Sequence, residues 1–401
     1  SISGNGGITV NGTTLTLGGS NSYSGNTTLI GASVTIRNAA ALGTGTLDFS
    51  SGTTTITGAN SVSTLTGNNA INLNGGGLTF AVNGGGQTIN FGSGNVIVTG
   101  SNNLNAYNGG MRLDGVVSGS GTLNSYGSST LTLGGANTFN GTVSASANNG
   151  TLALANINAL QNATLNFGAN HTLSFAVAGN NTYNIGLLTG SGAINIGANT
   201  ISTGSSNSSG SYSGALSGTG GNLTKLGNAT LTLNGTSANT YTGVTTILEG
   251  TLSLNKTDGV NAIAGNITLG DGVNSDVLKL LSGNQIADTS ILTMNGTGAG
   301  QRGTFNLNGF NETIGGLVGD GLVQVDSASQ NGTTSVITLN VASGLSLSSN
   351  ATIRNVASGN SILSLVKSGV GTQILTNNNT YTGGTTINGG TLQIAHANAI
   401  G

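Results

Sequence analysis

The 401-residue chain contains no proline, no cysteine and no tryptophan, and only 4% of its residues are charged. Without cysteine there is no disulfide framework, thiolate metal site or cysteine nucleophile, and the redox compartment cannot be read from the chain. Proline lacks the N–H that a β-ladder needs, so its absence from a long chain points to strands that nearly all lie between two neighbours. Eight Lys and Arg residues and a pI near 5.5 leave no phosphate-facing patch, which excludes nucleic acid as a partner. No run of 18 apolar residues is present, so the chain is not expected to span a membrane. Helical spacing of apolar residues is missing as well, and Val277-Leu-Lys-Leu-Leu281 is the one segment that tempts a helix assignment. The two histidines, His171 and His396, lie far apart and are expected at the surface in polar rows.

What is present is repetition. Leu15-Thr-Leu-Gly-Gly-Ser-Asn-Ser-Tyr23-Ser-Gly25 returns as Leu131-Thr-Leu-Gly-Gly-Ala-Asn-Thr-Phe139-Asn-Gly141 and Leu231-Thr-Leu-Asn-Gly-Thr-Ser-Ala-Asn-Thr-Tyr241-Thr-Gly243. It returns again as Ile374-Leu-Thr-Asn-Asn-Asn-Thr-Tyr381-Thr-Gly383. Each copy runs on into a second shared phrase, so that the residues after Gly25 align with those after Gly383 as far as Gly43 and Gly401. The marks are unevenly spaced, and the long units must contain smaller ones. Short apolar runs followed by Gly-x-Gly corners fill the gaps, as at Val117-Ser-Gly-Ser-Gly121, Leu188-Thr-Gly-Ser-Gly192, Leu216-Ser-Gly-Thr-Gly220 and Leu317-Val-Gly-Asp-Gly321.

Local alternation supplies the strands. Thr230-Leu-Thr-Leu233, Thr251-Leu-Ser-Leu254 and Thr391-Leu-Gln-Ile394 have the two-residue period of a strand with one buried face, which directs Leu231, Leu233, Leu252, Leu254, Leu392 and Ile394 inward. Glycine, 72 residues of it, supplies corners together with asparagine, and neutral Thr, Ser and Asn stack between coils without like-charge repulsion. The expected fold is all-β with almost no helix: a single elongated parallel β-solenoid over residues 1–401, with four degenerate long repeats marked by Tyr23, Phe139, Tyr241 and Tyr381. A lone coil buries too little to fold, so stability must come from neighbours. A hydrophobic content of 35% in alternating runs argues against disorder, and glycine without a period of three excludes a collagen helix.

Chemistry-bearing residues are scarce. Asp271-Gly-Val-Asn-Ser-Asp276 with Asp288 is a weak calcium candidate, although turn chemistry explains the same residues. Ten acidic and eight basic residues give little material for the converging carboxylates of a carbohydrate-cleaving solenoid. No catalytic residue and no cofactor is expected. The residues singled out are therefore the repeat marks, Tyr23, Phe139, Tyr241 and Tyr381 with Gly25, Gly141, Gly243 and Gly383, the aromatics being expected to seal corners against a neighbouring coil.

The phrases Leu223-Thr-Lys-Leu-Gly-Asn-Ala-Thr-Leu-Thr-Leu-Asn-Gly235, Asn379-Thr-Tyr-Thr-Gly-Gly-Thr-Thr-Ile-Asn-Gly-Gly-Thr-Leu-Gln-Ile394 and Thr304-Phe-Asn-Leu-Asn-Gly-Phe310 resemble the autotransporter passenger-associated β-strand repeat. The likeness is strong over residues 214–265 and 300–401 and weaker over 5–45 and 116–165. It implies a right-handed parallel β-helix outside a Gram-negative-type bacterium, exported through a C-terminal membrane barrel. Neither that barrel nor a signal peptide is visible, so the chain is expected to be a piece of a longer precursor. Together these features point to a non-catalytic extracellular structural or adhesive protein on a bacterial surface. The expected partners are copies of itself, in fibres or a surface layer, with glycan or another surface as the alternative. That alternative contact would use flat rows such as Thr14-Leu-Thr16 and Thr230-Leu-Thr232.

Overall fold

The computed structural model describes residues 1–58, 64–82, 87–107, 109–145, 148–273, 275–296, 303–319, 324–327, 334–355 and 361–401. The chain is a β-solenoid without helix among these residues, and its coils group into two compact units, Ser1–Gly192 and Ala193–Gly401. In both units the described strand pairings quoted below are parallel, as expected when each coil lays its strands on those of the coil before.

Three parallel sheets build the first unit. One runs from Ile8–Asn11 through Thr27–Ile30, Leu47–Phe49, Ile71–Asn74 and Val96–Thr99 to Val117–Gly119. A second, longer sheet begins with Thr14–Leu17, Ser33–Ile36, Thr53–Gly58, Gly77–Val82, Ser101–Tyr107 and Thr122–Tyr126 and continues to Thr182–Gly190. The third stacks Gln87–Asn90, Gly109–Leu113, Thr130–Leu133, Thr151–Leu154 and Thr172–Phe175.

The second unit repeats the plan. One sheet passes from Thr200–Thr203 through Asn222–Lys225, Thr245–Ile247, Ile267–Leu269 and Ile291–Met294 to later coils, ending at Thr391–Ile394. Another carries Gly210–Tyr212, Thr230–Gly235, Gly250–Lys256, Asp276–Leu280 and Gly303–Asn306. The stretch Val277–Leu281 that resembles a helix is thus mostly strand, because Leu278 stacks on Leu252 and Phe305 in register.

In-register stacking makes the core a set of columns. Leu231, Leu252, Leu278 and Phe305 lie one above another and are at most 1% exposed. Alternation in sequence therefore becomes continuity in space: every second residue joins an apolar column, and those between join a polar one. Ile394 departs from expectation at 40% exposure, and Leu392 is only half-buried. They lie in the last coil of the structure, where no further coil stacks on them. The corner expected at Gly319-Asp-Gly321 lies partly outside the described residues.

Candidate functional site: repeated corner and outward rows

The four repeat marks occupy one kind of corner. Tyr23, Phe139, Tyr241 and Tyr381 are between 0 and 2% exposed. In the three tyrosine copies the phenolic oxygen bonds a threonine four residues on: Tyr23 to Thr27 Oγ1 at 2.7 Å, Tyr241 to Thr245 Oγ1 at 2.6 Å, and Tyr381 to Thr385 Oγ1. Each of those threonines stacks on an aliphatic residue of a neighbouring coil, Leu47 on Thr27, Leu223 on Thr245 and Leu365 on Thr385. A hydroxyl inside such a column needs a partner, and the tyrosine provides it. In the second copy the ring is instead Phe139, and the residue four positions on is Val143, stacked between Leu123 and Leu165. Polarity of ring and column change together. Burial pushes the Tyr241 hydroxyl pKa upward, with the Thr245 bond partly offsetting it.

The residue two positions before the ring is asparagine in all four copies, a signal present in the repeated phrase but easily passed over beside the aromatic. Each asparagine is buried, and its amide joins the coil before to the coil after. Asn239 Oδ1 accepts from Leu216 N–H at 2.9 Å, while Asn239 Nδ2 donates to Ala262 O at 2.7 Å. The same two bonds recur at Asn21 with Ile2 and Ala41, at Asn137 with Val117 and Ala159, and at Asn379 with Ile353 and Ala399. The glycine that ends the motif has no room for a side chain. A Cβ on Gly25 would lie 2.4 Å from Gly7 N, and one on Gly243 2.4 Å from Gly221 O; Gly141 and Gly383 are closed off in the same way. Asparagine, ring and glycine form one device that welds three successive coils.

Several ionisable groups that the sequence analysis did not single out are buried in the second unit. Lys225 is 1% exposed, and its ammonium donates to Leu226 O, Gly227 O and Glu249 O at 2.6, 2.7 and 3.1 Å. Lys367 makes the same contacts one repeat later, to Ser368 O, Gly369 O and Gly389 O. Lys256, also 1% exposed, reaches back to Asn234 O and Gly214 O, and its N–H donates to Gln285 Oε1 at 2.7 Å. Gln285 in turn donates its N–H to Glu312 Oε2 at 2.7 Å. Burial pulls the Lys225 and Lys256 pKa values down to about 8 and pushes Glu312 up to about 8.

Asp276 is 1% exposed, and neither carboxylate oxygen makes a hydrogen bond of regular geometry. Burial first and the Asp271 charge second push it up to about 7. Asp271 is exposed and accepts from Val273 N–H in a local turn, while Asp288 is exposed and its charge acts on Glu312 instead. The three aspartates of the calcium candidate are therefore not gathered at one point. Among the described residues no group of three or more His, Cys, Asp or Glu side chains converges to hold a metal ion.

His171, expected in a surface row, is 7% exposed, with Nε2 3.3 Å from Ser125 Oγ. Ser125 stands two residues before Gly127 as Lys225 does before Gly227, so a hydroxyl and an imidazole from a later coil fill the place of the lysine. Burial lowers the imidazole pKa. Ser125 is 3% exposed and closed to any substrate. His396 is exposed, as expected.

The outward rows are neutral in the long sheet of the first unit. Thr14, Ser33, Thr55 and Thr79 stack in one column, with Thr16, Thr35 and Thr57 in the next. In the second unit the row begun by Thr230 and Thr232 meets Val277 and Lys279 two coils later and loses its uniformity.

The protein-family model described as Passenger-associated-transport-repeat matches residues 8–36, 126–154, 223–254 and 365–394. The chain carries passenger-associated transport repeats. Each matched stretch encloses one Asn-x-Tyr/Phe-x-Gly corner and the strands on either side of it, so the repeat is the corner device together with the coils it joins. No curated protein and no solved structure matches the chain. Among the described residues no helix is long and apolar enough to cross a membrane.

Proposed function

We propose that this protein is a non-catalytic extracellular scaffold of a bacterial surface, the displayed part of an autotransporter-like product, which presents neutral polar faces for adhesion and assembly. The observation that carries this reading is the four passenger-associated transport repeats, each seated on a corner that locks neighbouring coils. The same repeats support a secreted or surface-exposed setting. Supporting it, the functional groups of the repeat are turned inward: ring, amide and ammonium all bond the chain's own backbone or core. A formal net charge of −2 leaves little repulsion between copies, so lateral association into a layer through the neutral rows belongs to the same reading.

The test is surface exposure followed by association. Intact producing cells treated with a protease should lose the protein while a cytoplasmic marker survives, and the 401-residue chain should sediment as larger species with rising concentration. Protection of the protein in intact cells would overturn the scaffold reading, and a strictly monomeric chain at high concentration would remove assembly from it.

A further inference from the structure

Seven tyrosines occur in the chain, and five of them, Tyr23, Tyr183, Tyr212, Tyr241 and Tyr381, are at most 1% exposed. The remaining two stand close together. Tyr107 is 40% exposed at the end of Ser101–Tyr107, and half-buried Tyr126 ends the next strand of the same sheet, Thr122–Tyr126. Tyr126 stacks directly on Asn105, so Tyr107, two residues further along, is its diagonal neighbour on the outward face at roughly 7–8 Å. Alternation confirms the direction: in Ser101–Tyr107 the odd-numbered residues face out and Asn102, Leu104 and Ala106 face in.

The surroundings of the two rings are built from amides and hydroxyls already fixed in orientation. Asn124 Nδ2 donates to Asn103 Oδ1 at 2.9 Å and to Ser101 Oγ at 3.2 Å, and Asn105 Nδ2 donates to Thr79 Oγ1 at 3.2 Å. These coil-to-coil bonds fix the amides of Asn105 and Asn124 on the outward face. The described strands of this sheet from Thr14–Leu17 to Leu160–Phe167 contain no Asp, Glu, Lys or Arg. The threonine columns continue the face on one side and Ser144 and Asn166 on the other.

We infer that this face, centred on Tyr107 and Tyr126, binds a neutral polysaccharide. A sugar ring offers a C–H face that stacks on an aromatic side chain and a rim of hydroxyls that both donate and accept. Tyrosine is the aromatic that presents an apolar body with a polar tip at a wet interface, and ordered amides beside it supply the complementary hydrogen bonds. Absence of charge from the described strands of this face selects an uncharged chain over a uronate- or sulfate-bearing one, since no cation within them offsets the desolvation of an anion. The columns repeat at every coil, about 4.7–4.9 Å apart, so an extended chain running along them meets the same chemistry repeatedly, and many weak contacts add to useful avidity. This inference rests on the adhesive side of the proposed function and assigns it a place.

The test uses the full 401-residue chain in affinity electrophoresis through gels containing a neutral β-glucan, a mannan, soluble chitin oligomers or, for contrast, alginate. Binding is then titrated by tyrosine fluorescence, which is readable because the chain has no tryptophan. Retardation by at least one neutral polymer and not by alginate is expected, with Tyr107→Ala and Tyr126→Ala each weakening binding roughly 3- to 10-fold, and Tyr126→Phe close to wild type. Unchanged circular dichroism and unfolding midpoints in these surface variants keep the comparison valid. Equal binding by wild type and the Tyr107→Ala/Tyr126→Ala double variant would overturn this site while leaving an adhesive protein. Retardation by alginate alone, or by none of the four polymers, would overturn the neutral-glycan assignment itself and leave only the scaffold.

Discussion

The pairing of Tyr241 with Thr245 lends itself to a double-mutant cycle whose answer the molecule already contains. Tyr241→Phe removes the partner of a threonine hydroxyl that is 0% exposed, and an unsatisfied buried group of that kind costs about 1–3 kcal/mol. Thr245→Val removes the other partner and leaves the phenol unsatisfied, at a similar cost of about 1–3 kcal/mol. Made together, the two changes recreate the Phe139–Val143 pair of the second copy, where ring and column are both apolar. The double variant should therefore lie within about 1 kcal/mol of wild type, with a coupling energy of about 1–3 kcal/mol. Native-state hydrogen exchange over Thr245–Ile247 and its neighbours Asn222–Lys225 and Ile267–Leu269 reads this directly, since about 1.4 kcal/mol is tenfold in an opening equilibrium. Additive losses in the double variant, or a silent Tyr241→Phe, would refute the matched-polarity argument. Tyr241→Ala gives the scale of the ring itself, about 2–4 kcal/mol of local stability.

Asn239→Ala should cost about 2–4 kcal/mol, because Leu216 N–H and Ala262 O both lose a buried partner, and faster exchange at Leu216 together with the coil around Ala262 is the expected signature. Lys225→Met should destabilise the second unit by about 2–4 kcal/mol by leaving three carbonyls without their shared donor, measurable as a lower urea midpoint. The pH dependence of the second unit has a definite sign. Asp276 and Glu312 have folded pKa values raised to about 7 and about 8, so their contribution is fully present below pH 4 and is lost as pH rises toward 8. Lys225 and Lys256, lowered to about 8, cost stability below pH 8 and return it as pH rises toward 10. Urea midpoints followed across pH should thus fall from pH 4 to a minimum near pH 8 and then recover, and Asp276→Asn should flatten the acid limb; a midpoint rising between pH 4 and 7 would contradict the assignment.

The sheets were legible because their cause is local. Two-residue alternation in Thr230-Leu-Thr-Leu233 decides which face is buried whatever lies beyond, and repetition of the phrase decides that copies stack. Burial of ionisable groups was not legible, because it depends on which coil lies over which. Lys225 reads as a surface charge until three carbonyls close around it, and His171 reads as a member of a polar row until Ser125, two coils earlier, is placed beside it. The aspartates failed for the complementary reason. Asp271 and Asp276 are five residues apart and interact electrostatically, but Asp288 belongs to another part of the coil, a separation that spacing along the chain does not reveal. Tyr107 and Tyr126 carry no sequence signal that sets them apart from the buried tyrosines. Tyr107 even has Asn105 two residues before it and Gly109 two residues after it, the frame that marks a corner at Tyr241, yet here asparagine and ring lie on the outward face of a strand, so the frame acts only where the chain places it at a corner.

That frame also explains why so few copies suffice. A stack in which each coil touches only its neighbours opens one coil at a time, and its local stability is a sum of small nearest-neighbour contributions. An asparagine at a corner changes the unit of opening. Asn239 bonds the coil of Leu216 and the coil of Ala262 at once, so neither can leave its neighbour without breaking a buried bond at the middle coil. Three coils then open together. The coils between corners are held by backbone ladders, apolar columns and scattered buried side-chain bonds such as Lys256–Gln285–Glu312, which follow no repeated phrase, and there the sequence varies more freely. Exchange data should divide along the same line, with amides of the three coils around Asn239 sharing one opening free energy and those of intervening coils showing a graded series. A uniform gradient through the Asn239 coils would mean that the amide is only a hydrogen-bonding convenience and not the element that sets cooperativity.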